Sequence, residues 1–199
     1  MRASENINID KSYKDFLRFD YVPEVSNFKK CTGYWFDYIK NMATGEVIEI
    51  GHEFNIIVDS IGKLATARFK GDTNFQGIQI WAIGSGADSW DSNLPVPSPD
   101  SIRLANEIGR LPILVHGQDS SIVYVDLNGN QTDELTNRLL IRRRFGRDEI
   151  NGNWREFAIF GGNATTERNT GIMINHKIHQ IITKTSDMTV ERNIIFTFN

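Results

Sequence analysis

The sequence predicts a mainly β chain of the α+β type: an antiparallel β-sandwich-like core with one or two short helices, one of them packed against it. Three observations carry this expectation. The last third alternates apolar and polar residues over long runs, residues 33–50 read as a hairpin, and helical spacing is pronounced in one stretch, 54–69. A chain of 199 residues, 40% hydrophobic and 24% charged, can bury the core of one domain. We expect an extended arm over residues 1–32 and a single β-rich domain over 33–199. Within it, 33–76 form a hairpin plus helix and 77–199 the sandwich-like region.

Taken in order, residues 1–30 are polar with scattered aromatics (Tyr13, Phe16, Phe19, Tyr21, Phe28) and no sustained period. Tyr34 to Ile39 and Val47 to Ile50 flank a Thr44-Gly45-Glu46 turn, a hairpin signature. Phe54, Ile57, Val58, Ile61, Leu64, Ala65 and Arg68 recur at steps of three and four, which draws a stripe down a helix laid across a sheet. Gly62 weakens that helix by up to about 1 kcal/mol. Ile78 to Ile83 read as a strand, and Gly84 to Pro99 as a long loop with three of the five prolines. Residues 100–110 have the spacing of a second short helix, capped by Asp100 or Ser101 and carrying Glu107 close to Arg110. Ile113 to His116, Ser121 to Asp126 and Asn137 to Arg147 read as strands, with Asn128-Gly129 a strong turn signal. Residues 151–160 form a core strand that carries an adjacent Arg155/Glu156 pair and ends at Gly161-Gly162. After it come Ile172 to Thr183, a turn at Lys184 to Asp187, and a last strand in which Val190, Arg192, Ile194, Phe196 and Phe198 share one phase.

Composition narrows the function. A net charge of -3 offers no basic footprint for nucleic acid or an anionic membrane surface. One cysteine, Cys31, cannot close an internal disulfide. The first twenty residues lack the apolar run of a signal peptide, and no stretch reaches the roughly 20 apolar residues of a membrane span. A soluble protein made in a cytoplasm is therefore expected.

The candidate chemical constellations fail on spacing. Gly84-Ser85-Gly86 follows a strand, but Ser89 stands where a third phosphate-loop glycine belongs, and prolines replace the helix that should follow. Asp126, Asn128 and Asn130 open like a calcium loop, yet Gln131 and Asn137 occupy the glycine and closing glutamate positions. His176 and His179, three apart in a strand, leave by opposite faces and cannot share a metal. No serine sits in a hydrolase elbow. Neither catalytic residues nor a metal or other cofactor is expected.

Four segments recur in an order that carries a resemblance: Trp81-Ala-Ile-Gly-Ser-Gly86, Ser101 to Arg110, Asn153-Trp-Arg-Glu-Phe-Ala-Ile-Phe160, and Ile182 to Asp187 before a terminal strand. This arrangement resembles tailed-bacteriophage structural proteins, closest to the N-terminal domain of the tail-collar fibre family. That family has a Gly-x-Gly loop, a Leu-x-x-Glu-x-x-Arg box (here Leu104, Glu107, Arg110), a Trp-x-Arg-Glu box (matched by Trp154, Arg155, Glu156) and a closing lysine. Trp154 abuts Arg155 with no aliphatic residue between, and Ala158 replaces the family's glycine. The resemblance implies a β-rich, non-enzymatic virion component, assembled in the host cytoplasm, that anchors fibres or joins tail or neck parts as an adaptor, collar or baseplate subunit. Its implied partners are other copies of the chain and other virion proteins, with no nucleic acid or membrane.

A carbohydrate-binding module is the alternative, with Trp35, Trp81, Trp90 and Trp154, joined by Tyr34 and Tyr38, as candidate stacking platforms and Trp90, in its polar loop, the best of them. For the Arg155/Glu156 pair we expect structural ties: Glu156 meets an arginine such as Arg110 or a backbone amide, and Arg155 meets Glu107 or another acid. Charges inside a β core persist only when paired.

Overall fold

The computed structural model describes residues 31–198. Its elements are β1 (Thr32–Asn41), β2 (Val47–Ile57), α1 (Ile61–Phe69), β3 (Gln76–Gly84), β4 (Glu107–Pro112), β5 (Ser120–Val125), β6 (Gln131–Thr132), β7 (Arg138–Phe145), β8 (Gly152–Gly162), β9 (Ile172–Met173), β10 (Asn175–Lys184) and β11 (Met188–Thr197), with a 3-10 turn at Asp88–Asp91. The expected arm lies outside the described residues except for Cys31 and Thr32, where β1 already begins. The described residues are mainly β with one α-helix, as the periodicity predicts.

All strands join one antiparallel sheet in the order β4-β3-β8-β10-β2-β1-β11-β7-β5-β6, with β9 beside β8. The sheet has two halves. β2, β1, β11, β7, β5 and β6 form one, and β4, β3, β8, β9 and β10 the other. Backbone pairing joins them only where Ile56 and Ile57 of β2 pair with His176 and Asn175 of β10. β2 can serve both halves because its pairing with β1 shifts register at Trp35/Phe36, where Gly51 (φ 95°) and His52 (φ 63°) take left-handed conformations.

The halves fold onto each other over an aromatic core, the sandwich-like arrangement expected. Trp35 meets Phe157 at 5.7 Å between ring centroids, Trp81 meets Phe145 edge-on at 6.4 Å, and Phe145 meets Trp154 at 5.0 Å. Each large apolar side chain buried this way contributes about 1.5–3 kcal/mol. On the other face of β3 and β8 a second cluster joins Ile80, Ala82, Ala158 and Phe160 to Leu104 and Met173. β8 is buried on both faces, which explains its near-continuous apolar run.

Three expectations at the level of elements are corrected. The helix spans Ile61–Phe69, not 54–69: Phe54 pairs with Tyr34 and Ile56–Ile57 with β10. Ladder bonds hold these backbone groups, and the apolar spacing that suggested a helix served a strand as well. Residues 100–110 form no helix. They make a loop and then β4, because the Ala105 and Asn106 amides donate to Glu156, and the Asn106 carbonyl accepts from Ser85 N at 2.9 Å. Residues 113–116 give only an isolated bridge, His116 to Ser121, after β4 ends at Pro112.

Candidate functional site

Glu156 is fully buried at the point where β8 runs beside Gly84, the last residue of β3. Its carboxylate accepts from the Ala105 amide at 3.1 Å, the Asn106 amide at 3.0 Å and His176 Nε2 at 3.0 Å. The backbone amide expected as its partner is thus present twice, and Arg110 is elsewhere. The approach is close enough that a Cβ on Gly84 would lie 2.5 Å from Glu156 Oε1 and 2.9 Å from the Asn106 carbonyl oxygen. On the other side of the ring, His176 Nδ1 shares a hydrogen bond with the Ser101 hydroxyl at 3.1 Å. The cluster fastens both ends of the 101–106 loop to the sheet and floors a polar cleft of about 650 Å³ that Arg103 and Arg168 also line.

Ser101, His176 and Glu156 are the residue types of an acyl-transfer relay, brought together from three distant segments, and sequence reasoning missed the set. No spacing rule could have linked them. The chemistry of such a relay needs donors aimed at a developing oxyanion. The Ala105 and Asn106 amides that border this cleft point instead into the Glu156 carboxylate. What the arrangement does with its hydrogen bonds is hold a loop.

The other residues singled out in the sequence do the same at other loops. Arg155 pairs with Asp91 of the 3-10 turn, another acid than Glu107. Arg110 Nε donates to Glu107 at 2.5 Å, Nη1 donates to the Thr170 carbonyl at 2.8 Å, and the guanidinium lies 4.3 Å from the Phe160 ring centre. An extra β4 residue at the Ile83/Gly84 register shift puts Glu107 and Arg110 on one face. Lys184, the closing lysine, is buried and donates to Asn151 Oδ1 at 2.8 Å and the Arg147 carbonyl at 3.2 Å. Burial lowers its pKa. Trp154 donates to the Ile150 carbonyl at 2.7 Å. Trp90 is half-buried, packed so closely on Gly86 that a Cβ there would lie 2.3 Å from its ring.

A second charged cluster, in the core itself, also escaped the sequence reading. Arg192 and Asp37 are both fully buried. Arg192 Nε reaches Asp37 at 3.0 and 2.9 Å and Nη2 at 2.6 Å, while Trp35 Nε1 donates to the same carboxylate at 2.7 Å. The guanidinium lies 4.3 Å from the Phe157 ring centre, 5.2 Å from that of Trp154 and 5.5 Å from that of Trp35. His179 stacks on Trp35 at 5.1 Å, donates from Nδ1 to the Gln180 carbonyl and accepts from Arg192 at Nε2. Burial, and then the Arg192 charge, push its pKa well below the ordinary value. His176 and His179 thus face different clusters. One signal was available: Arg192 shares the phase of Val190, Ile194 and Phe196, so a charge stood where the strand pointed inward.

Asp126 accepts from the Asn128 and Asn130 amides, both at 2.8 Å. The Asn130 amide, then its side chain, hold the Asp126 carboxyl below its usual range. This carboxylate closes a turn. Among the described residues no three His, Cys, Asp or Glu side chains converge as a metal site.

No protein-family model matches the chain, and no curated protein matches it.

Proposed function

We propose that the chain is a non-enzymatic structural subunit of a tailed-phage particle. It is an adaptor, collar or baseplate component that anchors fibres or joins tail or neck parts, working in several copies beside other virion proteins. One observation carries this reading. The residues on which the resemblance rests, Glu107, Arg110, Arg155, Glu156 and Lys184, each tie a loop to the sheet. Conserving loop shape is what a docking component requires, because its partners read surface geometry and not a reacting group. The test is mass spectrometry of density-purified particles of the phage that encodes the chain. Recovery at a fixed copy number supports the proposal, and absence from particles overturns it. Hydrolysis of a generic ester by the pure protein, abolished by Ser101→Ala, overturns the non-enzymatic part.

Tyr34 and Tyr38, with rings on the outer face of β1, favour carbohydrate stacking as a second reading. Trp90, packed on Gly86, lends it less support than its loop position promised. Glycan-array binding lost on Tyr38→Ala would support it.

A further inference from the structure

The outer face of the β2-β1-β11-β7-β5 half carries a continuous apolar row. Phe54 pairs with Tyr34, Tyr34 with Ile195, Ile195 with Leu140, and Leu140 with Val123. Directly opposed residues share a face, so the row crosses five strands, roughly 19 Å at ~4.8 Å per strand. Phe54 is 71% exposed, and α1 packs on β9 and β3, elsewhere on the molecule. Next to the row, Phe36 stacks on His52 at 6.0 Å and 11°. A parallel row places Glu49, Tyr38, Glu191 and Arg144 on β2, β1, β11 and β7. Among the described residues no element covers this face.

Acid sits on the β2 side, at Glu49, where His52 Nε2 lies 3.1 Å away, and again at Glu191 of β11, opposite Arg144; base sits on the β7 side, at Arg142 and Arg144. An isologous contact needs a patch complementary to itself. A two-fold axis lying in the contact plane, parallel to the strands and between β1 and β11, lays β2 of one copy over β7 of the other. Glu49 then meets Arg144, Phe54 meets Leu140 and Tyr34 meets Ile195. An axis across the strands, midway between the two rows, would instead set the apolar row against the charged one. We propose that this face is a two-fold interface with a second copy of this chain, held in register by reciprocal Glu49–Arg144 pairs across an aromatic centre.

The inference rests on the self-association in the proposed function and names its surface. The footprint is at the low end for a specific interface, so charge matching decides partner and register more than area does. Sedimentation equilibrium of the whole 199-residue chain tests it, with far-UV circular dichroism confirming that each variant folds. A monomer–dimer equilibrium is expected. Glu49→Arg and Arg144→Glu alone should each raise the dimer Kd about tenfold or more, and the double reversal should restore it to within about threefold of the parent. Self-association indifferent to both reversals overturns this surface and leaves the particle role standing. A chain that stays monomeric overturns it too, whether the face is then open to a sugar or taken up by residues 1–30 of the same chain. Absence from particles bears on the proposed function alone.

Discussion

Arg192 holds a full positive charge in the middle of an apolar core, and its desolvation is offset by three bonds to Asp37 and three aromatic faces. Removing one member leaves the other charge buried and unmatched. Arg192→Met is therefore expected to cost about 3–5 kcal/mol in urea unfolding, and Asp37→Leu combined with Arg192→Met less than the sum of the single changes. His179 makes the same core sensitive to acid. Its folded pKa lies well below 6.5, so below about pH 6.5 the unfolded chain takes up a proton there that the folded chain does not. Stability contributed by neutral His179 is complete above that pH and falls as the pH drops toward the folded pKa, by at most about 1.4 kcal/mol per pH unit. Asp37 acts in the opposite sense further down, since burial, opposed by Arg192, raises its pKa above 3.8. Urea midpoints at pH ~7.5 and ~5.5 should diverge in the parent and converge in His179→Phe, which keeps the stack on Trp35 and removes the proton site.

At the scale of elements, the 101–106 loop and β8 behave as one unit through Glu156. Glu156→Ala leaves two amides and a buried histidine without an acceptor, and the melting temperature should fall by an amount equivalent to about 3–5 kcal/mol. Hydrogen exchange at Ala105 and Asn106 should quicken in that variant while β11 stays protected; an unchanged melting temperature would sink the argument. Gly161→Ala should also destabilise the fold, because its Cβ would lie 2.3 Å from the Gly77 carbonyl oxygen, a backbone atom that cannot turn aside. Strands that bury one face were legible in advance. In β11 and β1 the alternation of Val190, Ile194 and Phe196, or of Trp35 and Ile39, follows directly from the pleat. Residues 54–57 and 100–110 were not, since apolar steps of three and four fit a helix until long-range partners claim the backbone. The loop ties were legible as charges needing partners, but Asp91, Ala105 and Ser101 as those partners depend on contacts 51 to 75 residues apart, as for Glu156 with Ala105 and His176 with Ser101. Periodicity carries no information at that range.

For the molecule as a whole, the aromatic core binds the two half-sheets more tightly than their short β2–β10 ladder does. They should unfold in one step, with tryptophan fluorescence and far-UV circular dichroism giving the same urea midpoint; separate transitions would mean that the halves are independent. The order of the sheet has a further consequence at its two ends. One margin is β4, whose last residue, Pro112, has no N–H to offer, and the other is β6, only two residues long. Neither presents a long row of free donors and acceptors; among the described residues the longer unpaired margins lie where the halves part, along residues 47–55 of β2 and 177–184 of β10. Edge-to-edge pairing of crowded copies is therefore expected at β2 and β10, and hydrogen exchange there should slow as the protein is concentrated while β4 and β6 stay unchanged.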